Sequence, residues 1–340
     1  MGGIIANRTP GKKERLRIPA SDVGFVSGEE VKITQEVPVR LLVLLCAAVL
    51  CHLAIAAAPR EVSYAGSLTP LNITPTFDKG YLFVYAGHEI NVFGPDGTQL
   101  FGVSAQVANA EVVNIDNAAV DTDGTIAGAV SYSPDGSSRS EGGGVVVFDR
   151  SGKQVRFFDT GRYHPTQIAF GPDHSIWTLG WPGTQHWNDD FSILRNYSQD
   201  GQELGHFLPR SSFDREPDPI GPEIGTWQLR VIGDRVGAVI YESPVYREDE
   251  KNRAMVWVET DLKGRELGRW EVGANPAPQA FTESGGLYIR EGKSVSVFDR
   301  ATKAWRRVPI SADGILLGAD GDNLVFLQNP STLRWVPAGQ

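Results

Sequence analysis

The sequence predicts an all-β protein: a six-bladed β-propeller with four-stranded blades, preceded by an N-terminal hydrophobic helix. Three observations predict it. Thirty-eight glycines and 21 prolines in 340 residues leave few long apolar-periodic stretches, so elements are short and turns are many. A hairpin unit recurs, as Ile90-Asn91-Val92-Phe93-Gly94-Pro95-Asp96-Gly97, as Val145-Val146-Val147-Phe148-Asp149-Arg150-Ser151-Gly152-Lys153, and as Val295-Ser296-Val297-Phe298-Asp299-Arg300-Ala301-Thr302-Lys303. The 282 residues from 59 to 340, shared among six such units, give 47 each, the size of a four-stranded blade. A twisted β-sandwich is the alternative, but a sandwich requires no such period.

Residues 1–36 are polar, mixed in charge and without a period; they read as a disordered leader or a gene-model artefact. Residues 37–58 contain the run Leu41–Ala58, in which His52 is the one strongly polar side chain. At about 1.5 Å per residue this run just crosses a hydrocarbon core. Its small-residue end also suits a signal peptidase, so a cleaved signal peptide and a single transmembrane anchor both stand. Arg8, Lys12, Lys13, Arg15, Arg17 and Arg40 agree with the positive-inside rule for the anchor. Translation beginning near Val37 would favour the signal. Either reading places residues 59–340 outside the cytoplasm, periplasmic or secreted.

Both cysteines, Cys46 and Cys51, lie in the apolar run, so residues 59–340 hold no disulfide and no thiolate chemistry. Residues 1–58 carry seven basic and five acidic groups, which leaves 25 basic against 36 acidic in the rest. A nucleic-acid partner held by a basic surface is thereby excluded.

Six blades follow at approximately 72–103, 113–160, 165–210, 226–272, 277–310 and 314–339. Asp-Gly and Ser-Gly between alternating apolar runs mark the hairpins, because glycine accepts the positive φ of a tight turn. Looser copies of the unit are Leu194–Gly201 and Val256–Gly264. A second unit alternates with the first, as Ala118–Ala127 and again as Ile168–Trp177. The sixth blade is one strand short, with strands at 314–319, 322–328 and 332–337. The stretch Glu61–Leu68 is available to supply the fourth, closing the ring and covering an open edge.

Pro165-Thr166-Gln167-Ile168-Ala169-Phe170-Gly171-Pro172-Asp173-His174-Ser175-Ile176-Trp177 resembles the repeat of NHL/TolB-like six-bladed propellers, including virginiamycin B lyase-like proteins. The match is good in one blade, fair in two others and poor elsewhere. The resemblance implies the fold across most of residues 60–340, and such folds host binding scaffolds, lactonases and lyases alike. The lactonase branch would want Glu, Asn and Asp clustered in the channel; here amides stand where the carboxylates should be. The lyase branch would want a histidine near the mouth, for which His164 and His186 are the candidates.

In each blade the first-to-second and third-to-fourth turns share one side, and these are short throughout. The second-to-third turns and the blade-to-blade links share the other, and hold the insertions Ser133–Gly143, Pro182–Asp190, Ser211–Gly225 and Pro244–Arg253. Long loops gathered on one side of a rigid scaffold are where binding resides. Trp181, His186, Trp187, Asp189, Tyr246 and Arg247 are therefore the candidate partner-binding rim, with aromatic faces beside charges. Aligned on their turns, Asn117, Gln167 and Gln228 share an offset, with Gln279 one place away, so amides are expected along the channel. Asp116, His164 and Asp313 near the mouth offer a divalent-cation site with backbone carbonyls; no cofactor is otherwise expected.

No Gly-x-Ser-x-Gly elbow, His-Glu-x-x-His, Walker loop or Rossmann fingerprint occurs. The expected function is a non-catalytic, exported propeller that binds a small polar ligand or a protein partner through the long loops of blades two to four. The alternative is a hydrolase or lyase at the channel mouth. Membrane contact is expected only through residues 41–58, if these are uncleaved.

Overall fold

Alternating apolar runs closed by left-handed turns become antiparallel hairpins, and the computed structural model arranges these as six radial sheets. It describes residues 59–71, 73–86, 88–133, 142–182, 190–213, 216–218, 229–243, 254–273, 278–311 and 313–339. The leader, the apolar run 41–58 and the expected N-terminal helix lie outside them. Among the described residues no helix is long and apolar enough to cross a membrane.

A short strand, β1 (Arg60–Ser63), precedes the first blade. Blade 1 is β2 to β5 (Thr76–Asp78, Tyr81–Ala86, Glu89–Phe93, Gln99–Ser104), and blade 2 is β6 to β9 (Val112–Val120, Ile126–Ser133, Gly142–Phe148, Gln154–Asp159). Blade 3 is β10 to β13 (Tyr163–Phe170, Ile176–Pro182, Ser192–Tyr197, Glu203–Pro209). In blade 4, β15 to β18 (Leu229–Ile232, Arg235–Ser243, Ala254–Asp261, Glu266–Gly273) are joined by an extra strand, β14 (Glu216–Asp218), on the far half of β16. Blade 5 is β19 to β22 (Ala280–Phe281, Leu287–Glu291, Ser294–Asp299, Ala304–Ser311).

Blade 6 has three sequential strands, β23 to β25 (Ile315–Asp320, Asn323–Asn329, Thr332–Pro337). Its fourth is β1, with Arg60 opposite Trp335 and Ser63 opposite Thr332. Ring closure by the chain start, expected over 61–68, is thus made by residues 60–63. Tyr64 and Leu68 lie beyond the strand: they donate backbone bonds to the Ser331 and Pro330 carbonyls and bury their side chains between blades 1 and 6. Because β1 runs antiparallel to β25, the chain enters the ring at the short-turn side.

The apolar core is divided rather than central. Six buried clusters each bridge two neighbouring blades, for example Trp177, Leu179 and Ile193 of blade 3 against Leu229, Val236 and Val258 of blade 4. Burying one such side chain is worth about 1.5–3 kcal/mol, so each blade is held mainly by its neighbours. The glycine of the third-to-fourth turn serves this packing as well as its own backbone. Gly152 has φ +81, and a Cβ there would lie 2.6 Å from the ring of Phe101 in blade 1. Gly201 (φ +86) meets Phe158 of blade 2 in the same way, at 2.7 Å. One blade's outer aromatic therefore seats on the next blade's turn, which explains why the glycine recurs in the repeat.

Candidate functional site

The strand order puts the two kinds of turn on opposite sides of the ring. On the short-turn side several carboxylates serve the turns themselves. Asp149 accepts the N–H groups of Ser151 and Lys153, and Asp261 those of Lys263 and Arg265. The Ser151 hydroxyl, which also donates to Asp149, and then these backbone bonds hold the Asp149 carboxyl below the usual carboxylate range; the backbone bonds, that of Arg265 first, do the same for Asp261. Such aspartates are turn formers, as their sequence context implies.

The long-loop side carries the proposed rim. His186, Trp187, Asp189, Tyr246 and Arg247 lie outside the described residues, as does Gln228. Trp181 is described, at the end of β11, where it pairs in register with His164 and stands with ring centroids 5.8 Å apart. His164 is 7% exposed, and burial lowers its pKa while Asp159 pulls the other way. Gly143 of blade 2 packs on the His164 backbone, so this end of β10 is wedged against the neighbouring blade.

The expected channel amides have mostly been used by the backbone. The innermost strand of each blade has an unpaired edge whose N–H groups need acceptors. Asn117, 1% exposed, presents Oδ1 to the Ile168 N–H of blade 3 at 3.4 Å. Gln279 accepts the Arg290 N–H at 2.9 Å, extending the ladder of the short strand β19. Gln167 is buried, and its Oε1 has no partner among the described residues.

Asp116 sits at a β-bulge between Ile115 and Asn117, with Thr166 at the equivalent bulge of blade 3. Bulges displace a side chain from the ladder, and both side chains bond back toward the second strand. Ser131 donates to Asp116 at 3.3 Å, and Thr166 donates to the Leu179 carbonyl at 3.2 Å. Burial pushes the Asp116 carboxyl up to about 7 against that single hydroxyl donor. Asp313 is exposed and faces Lys293 at 3.7 Å. No group of three potential metal-ligating His, Cys, Asp or Glu, Asp116, His164 and Asp313 included, occurs among the described residues.

Two features escaped the sequence reading. Arg230, in the innermost strand of blade 4, reaches across the ring to blade 1, the blade opposite. It donates to Asp78 Oδ1 at 3.0 Å and to the Phe77 carbonyl at 2.7 Å. Both charged residues are 7% exposed, and Asp78 Oδ2 also accepts the Val120 N–H of blade 2. Burial brings the Arg230 pKa down to about 10, with Asp78 opposing the shift. This bridge ties opposite blades together near the short-turn end of the channel. Its partners are 152 residues apart, so no local pattern could reveal it.

The second feature is a cleft of about 420 Å³ on the long-loop side between blades 1 and 2, containing His88, Ser104, Gln106 and Glu111. His88 Nδ1 lies 3.0 Å from Asn114 Oδ1. With the amide oxygen as acceptor, Nδ1 is the donor. His88, between two strand-like runs, was the available signal, but an isolated histidine is weak evidence.

No family model matches this chain, and no curated protein matches it. Among solved structures it is similar to a protein of unknown function from Bacteroides caccae, at TM-score 0.40 and 13% identity, over 79% of this chain and 82% of that one. It is also similar to the Pan2 WD40 domain of Neurospora crassa, at TM-score 0.44 and 9% identity, over 78% of this chain and 75% of that one. The Dos1 propeller gives TM-score 0.43 and 11% identity, over 82% and 83%. The fold is a six-bladed propeller. That conclusion rests on this chain's own strand pairing.

Proposed function

We propose that this protein is an exported, non-catalytic propeller that binds a protein partner or small polar ligand through the long-loop side of blades 2 to 4. The observation that carries the reading is the asymmetry of connections. The segments following Ser133, Pro182 and Ser243 all leave from one side of the ring, whereas the opposite turns are tight; the one following Asp218 leaves partway along the innermost edge of blade 4. The chain enters the ring through Arg60 at the opposite side, away from these segments. Export is supported by the apolar run 41–58 and the cysteine-free, acidic remainder. Kinship with NHL/TolB-like propellers is supported by the Pro165–Trp177 repeat alone.

The test is site-specific photo-crosslinking. A photoreactive residue is placed at Trp187 or Tyr246, and in parallel at Lys153 or Lys263 in the short turns. Partner adducts are expected from the first pair and not the second; adducts confined to the short turns would overturn the assignment. N-terminal sequencing of the exported form distinguishes cleavage near Ala58 from retention of the anchor.

A further inference from the structure

The short-turn end of the channel opens on a depression of about 400 Å³ to which the first-to-second turns of all six blades contribute. Its floor includes the Arg230–Asp78 bridge, in which the two charges compensate each other. Its walls are apolar, with Phe170, Ile232 and Phe281 from three successive blades. Three further charged groups line it, and none has an oppositely charged partner among the described residues.

Lys79 is the first. It adopts φ +46 beside Gly80 in the tight turn of blade 1, and its Nζ lies 6.0 Å from the Phe170 ring centroid in blade 3. The cation is thus carried across blade 2, over one half of the opening. Glu283 of blade 5 and Asp320 of blade 6 occupy the other half. Glu283 is exposed and its backbone N–H is held by the Gly321 carbonyl at 3.2 Å. Asp320 is fixed by the Trp335 indole N–H at 2.9 Å, a neutral donor that leaves its charge uncompensated. A concave, partly shielded opening strengthens such charges relative to flat surface.

We propose that this mouth is a second binding site, separate from the long-loop rim, for a small zwitterion with an apolar body: an unblocked apolar dipeptide or amino acid. The ligand carboxylate faces Lys79, the ammonium faces Glu283 and Asp320, and the apolar body lies on Phe170, Ile232 and Phe281. A cavity of this size falls within the range of small-ligand sites. An adjoining hollow of about 510 Å³ shares Ile232, Gly233, Phe281 and Glu283 and runs on toward Arg235, leaving room for more than one residue.

The test is calorimetric titration of the full-length protein with Leu-Leu, N-acetyl-Leu-Leu, Leu-Leu amide and leucine. Leu-Leu is expected to bind saturably, and blocking either end to weaken it by about tenfold, or about 1.4 kcal/mol. Lys79→Asn, which tolerates the left-handed turn, is expected to abolish the penalty for the amide. Glu283→Gln is expected to reduce the penalty for the acetylated form. Leucine binding as tightly as Leu-Leu identifies the free amino acid as sufficient; weaker binding identifies the peptide. No saturable binding below about 10 mM, or equal binding of blocked and free forms, overturns the proposal. Unchanged unfolding midpoints show that both variants fold. Crosslinking at the opposite rim is independent of all these outcomes.

Discussion

Replacing Arg230 with methionine should be the most damaging single change to the ring that leaves its apolar packing nearly intact. Methionine retains the length and most of the volume of the aliphatic stem, so the cavity contribution is small. What is lost is the guanidinium, with its bonds to Asp78 Oδ1 at 3.0 Å and the Phe77 carbonyl at 2.7 Å. Among the described residues the Asp78 carboxylate, 7% exposed, then keeps the Val120 N–H as its donor. Breaking one partner of a buried pair costs about 3–5 kcal/mol, chiefly because the other charge stays buried. R230M should therefore lower stability by that amount at pH 8. Urea unfolding followed by tryptophan fluorescence measures it, as a shift in midpoint at unchanged slope.

One control separates charge from packing. Adding D78N should recover part of the loss, because a neutral amide costs less to bury than an unpaired charge. A deficit below about 1 kcal/mol at pH 8, or a double variant as unstable as the summed singles, would refute the reasoning.

Asp116 should make stability fall with rising pH. Its folded pKa, about 7, lies above the ordinary 3.8, so the folded protein holds a proton that the unfolded chain has released between those values. The penalty is absent below about pH 4 and complete above about 7; D116N should be about 2 kcal/mol more stable than wild type at pH 8, after discounting for water around a half-buried group, and equal to it near pH 4. Urea midpoints across that range check the slope. Gly152→Ala combines a left-handed φ of +81 with a Cβ 2.6 Å from Phe101 and should cost about 2–4 kcal/mol. Gly161→Ala, at φ +66 with open space around it, should lose only the backbone part, about 1 kcal/mol; equal losses in the two thermal melts would remove the inter-blade account.

Strand positions were legible because each hairpin carries its own instructions: alternating apolar residues, then a glycine or aspartate whose chemistry closes the turn. Ring closure was readable in part, since a three-stranded last blade leaves an edge that the stretch before blade 1 was available to cover, and residues 60–63 of it do. The side-chain fates along the channel were not. Asn117 and Gln167 occupy one offset in adjacent blades, yet the first is bonded to the next blade's backbone and the second keeps a buried oxygen without a partner among the described residues. That difference depends on where the neighbouring strand's N–H groups fall, which no spacing within a blade encodes. For the same reason His88 has no local signature: its partner, Asn114, belongs to another blade.

The sequence alone determined the repeat, the six sheets, the short and long sides of the ring and the absence of cysteine from it, because each depends on local periodicity or composition. Tertiary structure decided which blade meets which across the channel. It set Arg230 against Asp78 over 152 residues, and carried Lys79 over to Phe170 opposite the carboxylates of Glu283 and Asp320. Those pairings join residues from different blades that have no relation along the chain. Only closing the ring brings them within the few ångströms over which charge and hydrogen bonding act.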